Sequence, residues 1–396
     1  MIKYATDEDR SSRAAANLST GLVYYFVGNQ WIDLAFLRQD GSSEMFRAAR
    51  CADAIPRIDD LLLALQEPQS ATPSTSARIV AAFSHGWGRE LLPPATWLAD
   101  LDVLIIIPHH VLHGVPLHIV VPDHKDALAV THGISYCSSA TLFARCVARN
   151  AARMARNSKR KCAVGSIDIL TGKNDQYRGL ASSFASHFGE PAWIDSRSQL
   201  KDFLVPGKAA DVLCIVCHGF HDLGSALRSG LGLADRYGVS SLRNIMVHED
   251  SVIRIRDWPF AELPVAIRAA ANAPANHETA LLSVGELLVN CTTTAELVAL
   301  FGCSTGTGHV GIADDYESLA YQWLKLGAAS VLANLWEADL PVLTNLANRF
   351  ATIWAPGGIP KAIALRNATR ELLEENPQLS ERPALWGSLA LLGDWF

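Results

Sequence analysis

Two short stretches carry residue types that could do nucleophilic chemistry. The apolar run Leu297 to Phe301 stops at Gly302-Cys303 and breaks into Ser304-Thr305-Gly306-Thr307-Gly308. His218, 85 residues before Cys303, follows a second apolar run, Asp211 to Cys217, and is itself followed by Gly219. Each pattern predicts a buried strand that delivers one side chain to the carboxyl edge of a sheet, where open α/β folds place their chemistry. A thiol attacks a carbonyl only as thiolate and is mostly protonated at neutral pH. An imidazole on a neighbouring strand can take that proton, and backbone N–H groups at a strand-to-helix edge favour the anion. Cys303 is thus a candidate nucleophile and His218 its candidate base. The backbone N–H groups of Cys303 and Gly219 are candidates for holding a developing oxyanion, since small neighbours let the chain approach a substrate closely. Taken singly, each residue also fits a blander role, a buried small hydrophobe for the cysteine and a satisfied polar group for the histidine.

The elements that must position these residues follow from periodicity. Gly21 to Val27, a turn at Gly28-Asn29, and Trp31 to Leu37 predict a β-hairpin rich in aromatic and branched residues. Helices are predicted over Cys51 to Leu65 and Ala77 to Leu92, around a polar Pro/Ser/Thr loop from Pro68 to Ser76. Leu101 to Pro108 is almost wholly apolar, as in strands buried on both faces. Between Arg149 and Lys161 six Arg or Lys residues suggest a solvated helix end and a linker, and also an exposed site for regulated cleavage. Beyond it, strands are predicted at 161–167, 210–217, 297–301, 330–335 and 388–392. Helices are predicted at 177–188, 281–289, 315–326, 341–354 and 360–375. Strands spaced by helices imply crossover units, hence a mostly parallel sheet flanked by helices. The expected organisation is an amino-terminal non-catalytic α/β half, residues 1–158, joined to a catalytic half, residues 159–396.

Bulk properties exclude several classes. The 396 residues are 49% hydrophobic and 19% charged, a globular composition. A formal charge of −6 without a dominating basic stripe gives no reason to expect nucleic acid. The longest apolar runs are too short to cross a bilayer, and Met1 to Arg13 has no signal-peptide core. No membrane association and a cytoplasmic location are therefore expected. Most of the eight cysteines sit in apolar segments and are expected to be reduced. Cys214 and Cys217 spell C-x-x-C, yet an interval of three on one strand puts them on opposite faces, which is wrong for sharing a metal. His109, His110, His113 and His118 invite a zinc reading. A helix that would bring His109 and His113 together is disfavoured by the preceding strand and by Pro116. Glycines 306, 308 and 311 could suggest phosphate binding, but no Lys followed by Ser or Thr comes after them. No metal and no organic cofactor are expected.

Several motifs together resemble one family. Val216-Cys217-His218-Gly219 with Ser229 to Asp235 resembles the histidine region of CHAT-domain proteases, a branch of the caspase-like superfamily. Ala299 to Gly306 is similar to their cysteine motif and to that of separases. Glu317 to Trp336 resembles the helix–strand that follows, and Ala384 to Asp394 the closing strand. Ile107 to Leu117 resembles the strand and loop of the first half. The resemblance implies a caspase-like α/β fold, with Cys303 as nucleophile and His218 as general base and later acid. The implied reaction is peptide hydrolysis through a thioester. Caspase-like enzymes that cut after basic residues often carry an aspartate two positions before the nucleophile; here that position is Phe301. Asp235, Asp314, Asp315, Glu317 and Asp339 are candidate substrate contacts, although an ordinary surface or helix-capping carboxylate is the more common role for each. Trp336 is a candidate groove wall or a core tryptophan.

The expected function is a cysteine endopeptidase acting on a protein or peptide substrate. The resemblance further implies activation by a signal, a sensor or a regulatory protein, in a bacterial defence or cell-death pathway. A catalytically silent scaffold or peptide-binding module is the alternative, set against it by the intact Cys303 and His218. A non-proteolytic hydrolase or acyltransferase using Cys303 would lack the ordered motif set.

Overall fold

The computed structural model describes residues 18–66, 87–121, 127–155, 160–167, 174–205, 208, 210–220, 230–232, 281–302, 305–306, 308–310 and 316–396. The chain opens with the expected hairpin, β1 (Thr20–Val27) and β2 (Trp31–Arg38), paired antiparallel. Strict alternation puts Val23, Tyr25, Ile32, Leu34 and Phe36 wholly inside. A third strand that the pattern does not announce, β3 (Ser43–Arg50), adds antiparallel to β2. Six of its residues up to Arg47 and Arg50 are exposed, so it lacks the alternation that marks a strand in sequence. Helix α1 (Cys51–Gln66) follows as predicted. The loop 68–76 and most of the helix expected over 77–92 lie outside the described residues. The described end of that segment, Trp87–Leu91, is a 3-10 turn. Strand β4 (Val103–Ile107) is buried at every position, and β5 (Gly133–Tyr136) lies parallel beside it.

After helix α2 (Ala140–Met154), strand and helix alternate. The order is β6 (Cys162–Ile167), α3 (Asn174–Ala185), β7 (Ala192–Ile194), β8 (Val212–Phe220), β9 (Gly230–Gly232) and β10 (Leu281–Ser283). Then come α4 (Val284–Asn290), β11 (Leu297–Leu300), β12 (Gly308–Val310), β13 (Tyr316–Ser318), α5 (Leu319–Leu326) and β14 (Ser330–Asn334). Helices α6 (Leu340–Trp354) and α7 (Lys361–Glu375) and strand β15 (Leu389–Gly393) complete it. The helices predicted from 281 and 315 each begin with a short strand, β10 and β13, because Ser283 and Ser318 cap the helices behind them.

One sheet runs through both halves in the order β7-β6-β8-β11-β14-β15-β5-β4-β1-β2-β3. The pairs β6–β8, β8–β11, β11–β14, β15–β5, β5–β4 and β4–β1 are parallel, so the sheet is mostly parallel as expected. Helices α3, α6 and α7 pack against one another in one layer, and α4, α5 and α2 in a second. The final strand β15 is the seam: Leu392 pairs with Tyr136 of β5, and Ser135 Oγ donates to Gly393 O at 2.7 Å. His118 bridges the same seam, its Nε2–H donating to Gly387 O at 2.8 Å while its Nδ1 accepts from the Tyr136 hydroxyl.

The basic stretch 149–161 differs from a solvated helix end. Arg153 on α2 is 8% exposed and pairs with Asp211 and Glu296, each at 3.1 Å. Arg160 grips Glu296 with two N–H groups at 2.9 and 3.0 Å and lies 4.4 Å over the Trp354 ring. Asp211 and Glu296 precede β8 and β11 at the amino edge of the sheet, the pole opposite Gly302. Acidic partners elsewhere in the sequence turn what looks like a solvent-facing charge run into a buried clamp. The cleavage reading covers the whole stretch 149–161, of which residues 156–159 lie outside the described residues.

Candidate active site

Strands β8 and β11 are parallel neighbours, with Leu297, Val298, Ala299 and Leu300 opposite Val212, Leu213, Cys214 and Ile215. All four β11 residues are buried, which is why an unbroken apolar run was needed there. The Phe301 N–H donates to Ile215 O at 2.9 Å and carries the ladder one residue further. Next comes Gly302, for which there is no room for a side chain. A Cβ at Gly302 would stand 2.6 Å from Cys217 O, 3.1 Å from Thr305 Cγ2 and 3.2 Å from Gly219 N. The main chain directly before Cys303 therefore lies against the main chain that flanks His218.

Strand β8 does not end at His218. It runs to Phe220, and His218, Gly219 and Phe220 pair antiparallel with Gly232, Leu231 and Gly230 of β9. Gly219 reads in sequence as a break, but an extended strand admits glycine, and β9 supplies its partner groups. Strand β9 is itself clasped by β10, so closely that a Cβ at Gly230 would meet Leu282 O at 2.4 Å.

The loop after Gly302 is held from β14. Asn334, completely buried at the end of that strand, donates from Nδ2 to Gly302 O at 3.2 Å. Its main-chain N–H donates to Thr305 Oγ1 at 3.2 Å, and its carbonyl accepts from Gly306 N–H at 2.9 Å. The Thr305 hydroxyl in turn faces Leu300 O at 3.1 Å and Gly302 O at 3.3 Å. Ser388 Oγ donates to Asn334 Oδ1 at 3.4 Å, and the Thr305 carbonyl receives Ala320 N–H from α5. Burying an amide costs about 1–3 kcal/mol where its hydrogen bonds are missing; here both ends of the Asn334 side chain are occupied. Thr305 and Asn334 lie inside the motifs named above, yet residue type alone gave neither a role. An asparagine closing the otherwise apolar Ser330–Asn334 run is the signal that could have found it.

The other candidates take varied places. Phe301 is 3% exposed and meets Phe184 of α3 edge-on, ring centroids 5.3 Å apart. Trp336 is 2% exposed, and its indole N–H donates to Ala384 O at 2.8 Å. Asp339 caps α6 by accepting Val342 N–H at 3.1 Å. Glu317 lies on β13, in register with His309. Cys303, Asp235, Asp314, Asp315 and the side chain of His218 lie outside the described residues.

The remaining thiols are poor nucleophiles. Cys51, Cys137, Cys146, Cys162, Cys214, Cys217 and Cys291 are buried and stand outside any disulfide. Burial pushes the thiols of Cys137 and Cys162 up to about 12 and that of Cys214 far above the usual range. A thiol held protonated is inert. His109, His113 and His118 are engaged in other contacts. His109 Nδ1 accepts Val27 N–H at 3.1 Å, His113 stacks 4.6 Å from Tyr316, and burial drives His118 down to about 4. Residues 110–114 form a 3-10 turn, entered through His110 at a φ of 54°. Among the described residues no group of three or more His, Cys, Asp or Glu could hold a metal ion. Among them, too, no helix is long and apolar enough to cross a membrane.

The sequence matches the CHAT domain over residues 88–394. No curated protein matches it. Among solved structures, the separase of the Saccharomyces cerevisiae separase–securin complex is similar with a TM-score of 0.55 at 10% identity, over 97% of this chain and 30% of that one. A second structure of that complex gives 0.54 at 9%, over 97% and 31%. The Arg-specific cysteine proteinase gingipain R gives 0.40 at 9%, over 87% and 75%. The chain thus spans about a third of the separase chain it matches. With the family model matched over residues 88–394, the chain belongs to the CHAT-domain family, and its mostly parallel sheet is similar in fold to the separase chain.

Proposed function

We propose that this chain is a cysteine endopeptidase in which Cys303 is the nucleophile and His218 the general base. The observation that carries this reading is the contact of Gly302 with the Cys217–Gly219 main chain. Cys303 follows directly in sequence on Gly302, the residue that makes this contact with the strand bearing His218. The burial of the seven described thiols supports the same assignment.

In the proposed reaction the Cys303 thiolate attacks the scissile carbonyl carbon. A C–S bond forms and the carbonyl electron pair moves to oxygen, where the N–H groups of Cys303 and Gly219 receive it. The oxyanion collapses, the C–N bond breaks, and the amine leaves with the proton from the His218 imidazolium. Water then attacks the thioester while His218 takes its proton. The C–S bond breaks, releasing a carboxylic acid that gives its remaining proton to solvent, and restoring the thiolate beside the His218 imidazolium.

The amino-terminal half, 1–158, serves in this reading as a non-catalytic support for the catalytic half, 159–396, through the β5–β15 seam. Asp235, Asp314, Asp315 and Glu317 are kept as the carboxylates for substrate contact. Phe301, Trp336 and Asp339 act through packing and capping, which their burial and bonding support. A protein substrate, an activating sensor and a role in bacterial defence or cell death follow from family membership alone. Digestion of a peptide library by the wild-type chain, with Cys303→Ala and His218→Ala controls, tests hydrolysis. Cleavage by the wild type and its loss in both variants is expected. Equal cleavage by wild type and Cys303→Ala would contradict it.

A further inference from the structure

Asn334 does more than fill the end of β14. It touches the residue before Cys303 through Gly302 O and two residues after it through Thr305 Oγ1 and Gly306 N–H. We infer that Asn334 is a positioning residue that aims the Cys303 N–H at the oxyanion, and that the Thr305 hydroxyl shares this task. The inference rests on the endopeptidase reading and adds to it the device that orients one of its two donors.

The reasoning starts from the peptide unit. The Gly302 carbonyl and the Cys303 N–H belong to one planar trans amide and point in opposite directions across it. The carbonyl is drawn toward β14 by Asn334 Nδ2 and by Thr305 Oγ1. On this inference the N–H of the same amide is turned away from β14, as planarity of a trans amide requires once its carbonyl is held there. The main chain on that other side is β8, with Gly219 N 3.2 Å from the Cβ position of Gly302. An oxyanion cradled between the Cys303 and Gly219 amides would lie on this side. Free rotation of the peptide would lose that convergence, and preorganised donors are what stabilise a developing oxyanion.

The clamp is anchored in turn. Asn334 Oδ1 is taken by Ser388 Oγ, which leaves Nδ2 as the end that faces Gly302. Asn334 also pairs with Leu389 of β15, the seam strand between the two halves. The orientation of the amide before the nucleophile is therefore set by β14 and by the segment that enters β15.

Two reagents separate orientation from simple integrity. Iodoacetamide alkylates a thiolate by direct displacement and develops no oxyanion. A tripeptide aldehyde adds to the thiolate as a hemithioacetal whose oxygen needs the donors. With a tripeptide-aldehyde set, affinity is read as protection of Cys303 from iodoacetamide, and the alkylated peptide is located by mass spectrometry. Asn334→Asp keeps shape and the Ser388 contact but cannot donate to Gly302 O as a carboxylate; Asn334→Ala removes the whole amide. Both are expected to weaken aldehyde protection about ten- to hundred-fold while iodoacetamide alkylation of Cys303 stays within about three-fold of wild type. Thr305→Val is expected to follow them, and Thr305→Ser to behave as wild type. Unchanged aldehyde protection in Asn334→Asp would overturn the inference. So would a parallel loss of both reactions, which marks a purely structural role. Wild-type protein that reacts with neither reagent at Cys303 would instead contradict the nucleophile reading itself.

Discussion

Substituting Gly302 by alanine probes the contact on which the site is built. The added Cβ would sit 2.6 Å from Cys217 O, a main-chain atom that cannot swing aside. Reaching 3.0 Å, the shortest separation that real Cβ atoms show, takes a shift of about 0.4 Å; ordinary contact at 3.4 Å takes about 0.8 Å. A 1 Å misplacement of reacting groups costs about 10²-fold in rate. On a logarithmic scale these shifts correspond to about six-fold and about forty-fold. Overpacking of this kind also destabilises by about 1–3 kcal/mol. Gly179, exposed on α3, is the matched control, since a Cβ there meets nothing within 4 Å. Gly179→Ala should leave reactivity unchanged and add about 0.5–1 kcal/mol of stability by restricting the unfolded chain. The assay is the second-order rate of Cys303 labelling by a peptide thiol probe, with urea unfolding of the same samples. Labelling of Gly302→Ala within two-fold of wild type, at an unchanged unfolding midpoint, would refute the close approach of β11 to β8.

Glu296 offers a stability test at the opposite pole. Glu296→Ala leaves Arg160 with the Trp354 and Ala355 carbonyls and buried Arg153 with Asp211, and should cost about 3 kcal/mol in urea unfolding, with Glu296→Gln costing less. Burial pushes the Glu296 carboxyl up, but Arg160, Lys361 and Arg153 outweigh it and hold it below its usual 4.5. Its contribution is therefore present above pH 4.5 and lost as the pH falls further, which unfolding at stepped pH values will show. His118 acts in a higher window. It titrates at about 4 when folded against 6.5 unfolded, so between those values the unfolded chain binds a proton that the folded chain refuses. Stability should fall by about 3 kcal/mol as the pH drops from 6.5 to 4, and His118→Gln should remove that slope. Asp394, raised to about 6 by burial, has the opposite slope between pH 6 and 3.8, so wild type minus variant is the quantity to read.

Hydropathy made the scaffold legible where the residues it buries are consecutive or alternate. The hairpin β1–β2, the run Val103–Ile107 and the helices α6 and α7 appear near their predicted bounds because their partners lie close in sequence or their faces are uniformly apolar. Strand β3 escaped because an exposed edge needs no alternation, and β10 and β13 because three residues leave no period to read. Motif order located the Gly302 and Gly219 neighbourhoods, but not why glycine is required at 302. That reason is the distance to Cys217 O, a carbonyl far away in sequence. The same limit hid Arg153 and Arg160, whose partners Asp211 and Glu296 lie over 50 residues away. Asn334 was overlooked for a third reason: its side-chain amide donates to a main-chain carbonyl, Gly302 O, which has no letter in the sequence.

The central claim, that Cys303 is the activated thiol of a cysteine–histidine pair, is tested most directly by where and how fast a peptide thiol probe reacts at neutral pH. Peptide mapping by mass spectrometry should find one fast adduct, on Cys303, with the buried thiols unlabelled in the folded protein and the rate reduced at least about 100-fold in His218→Ala. Labelling that persists undiminished in Cys303→Ala, or a Cys303 rate unaffected by loss of His218, would contradict it.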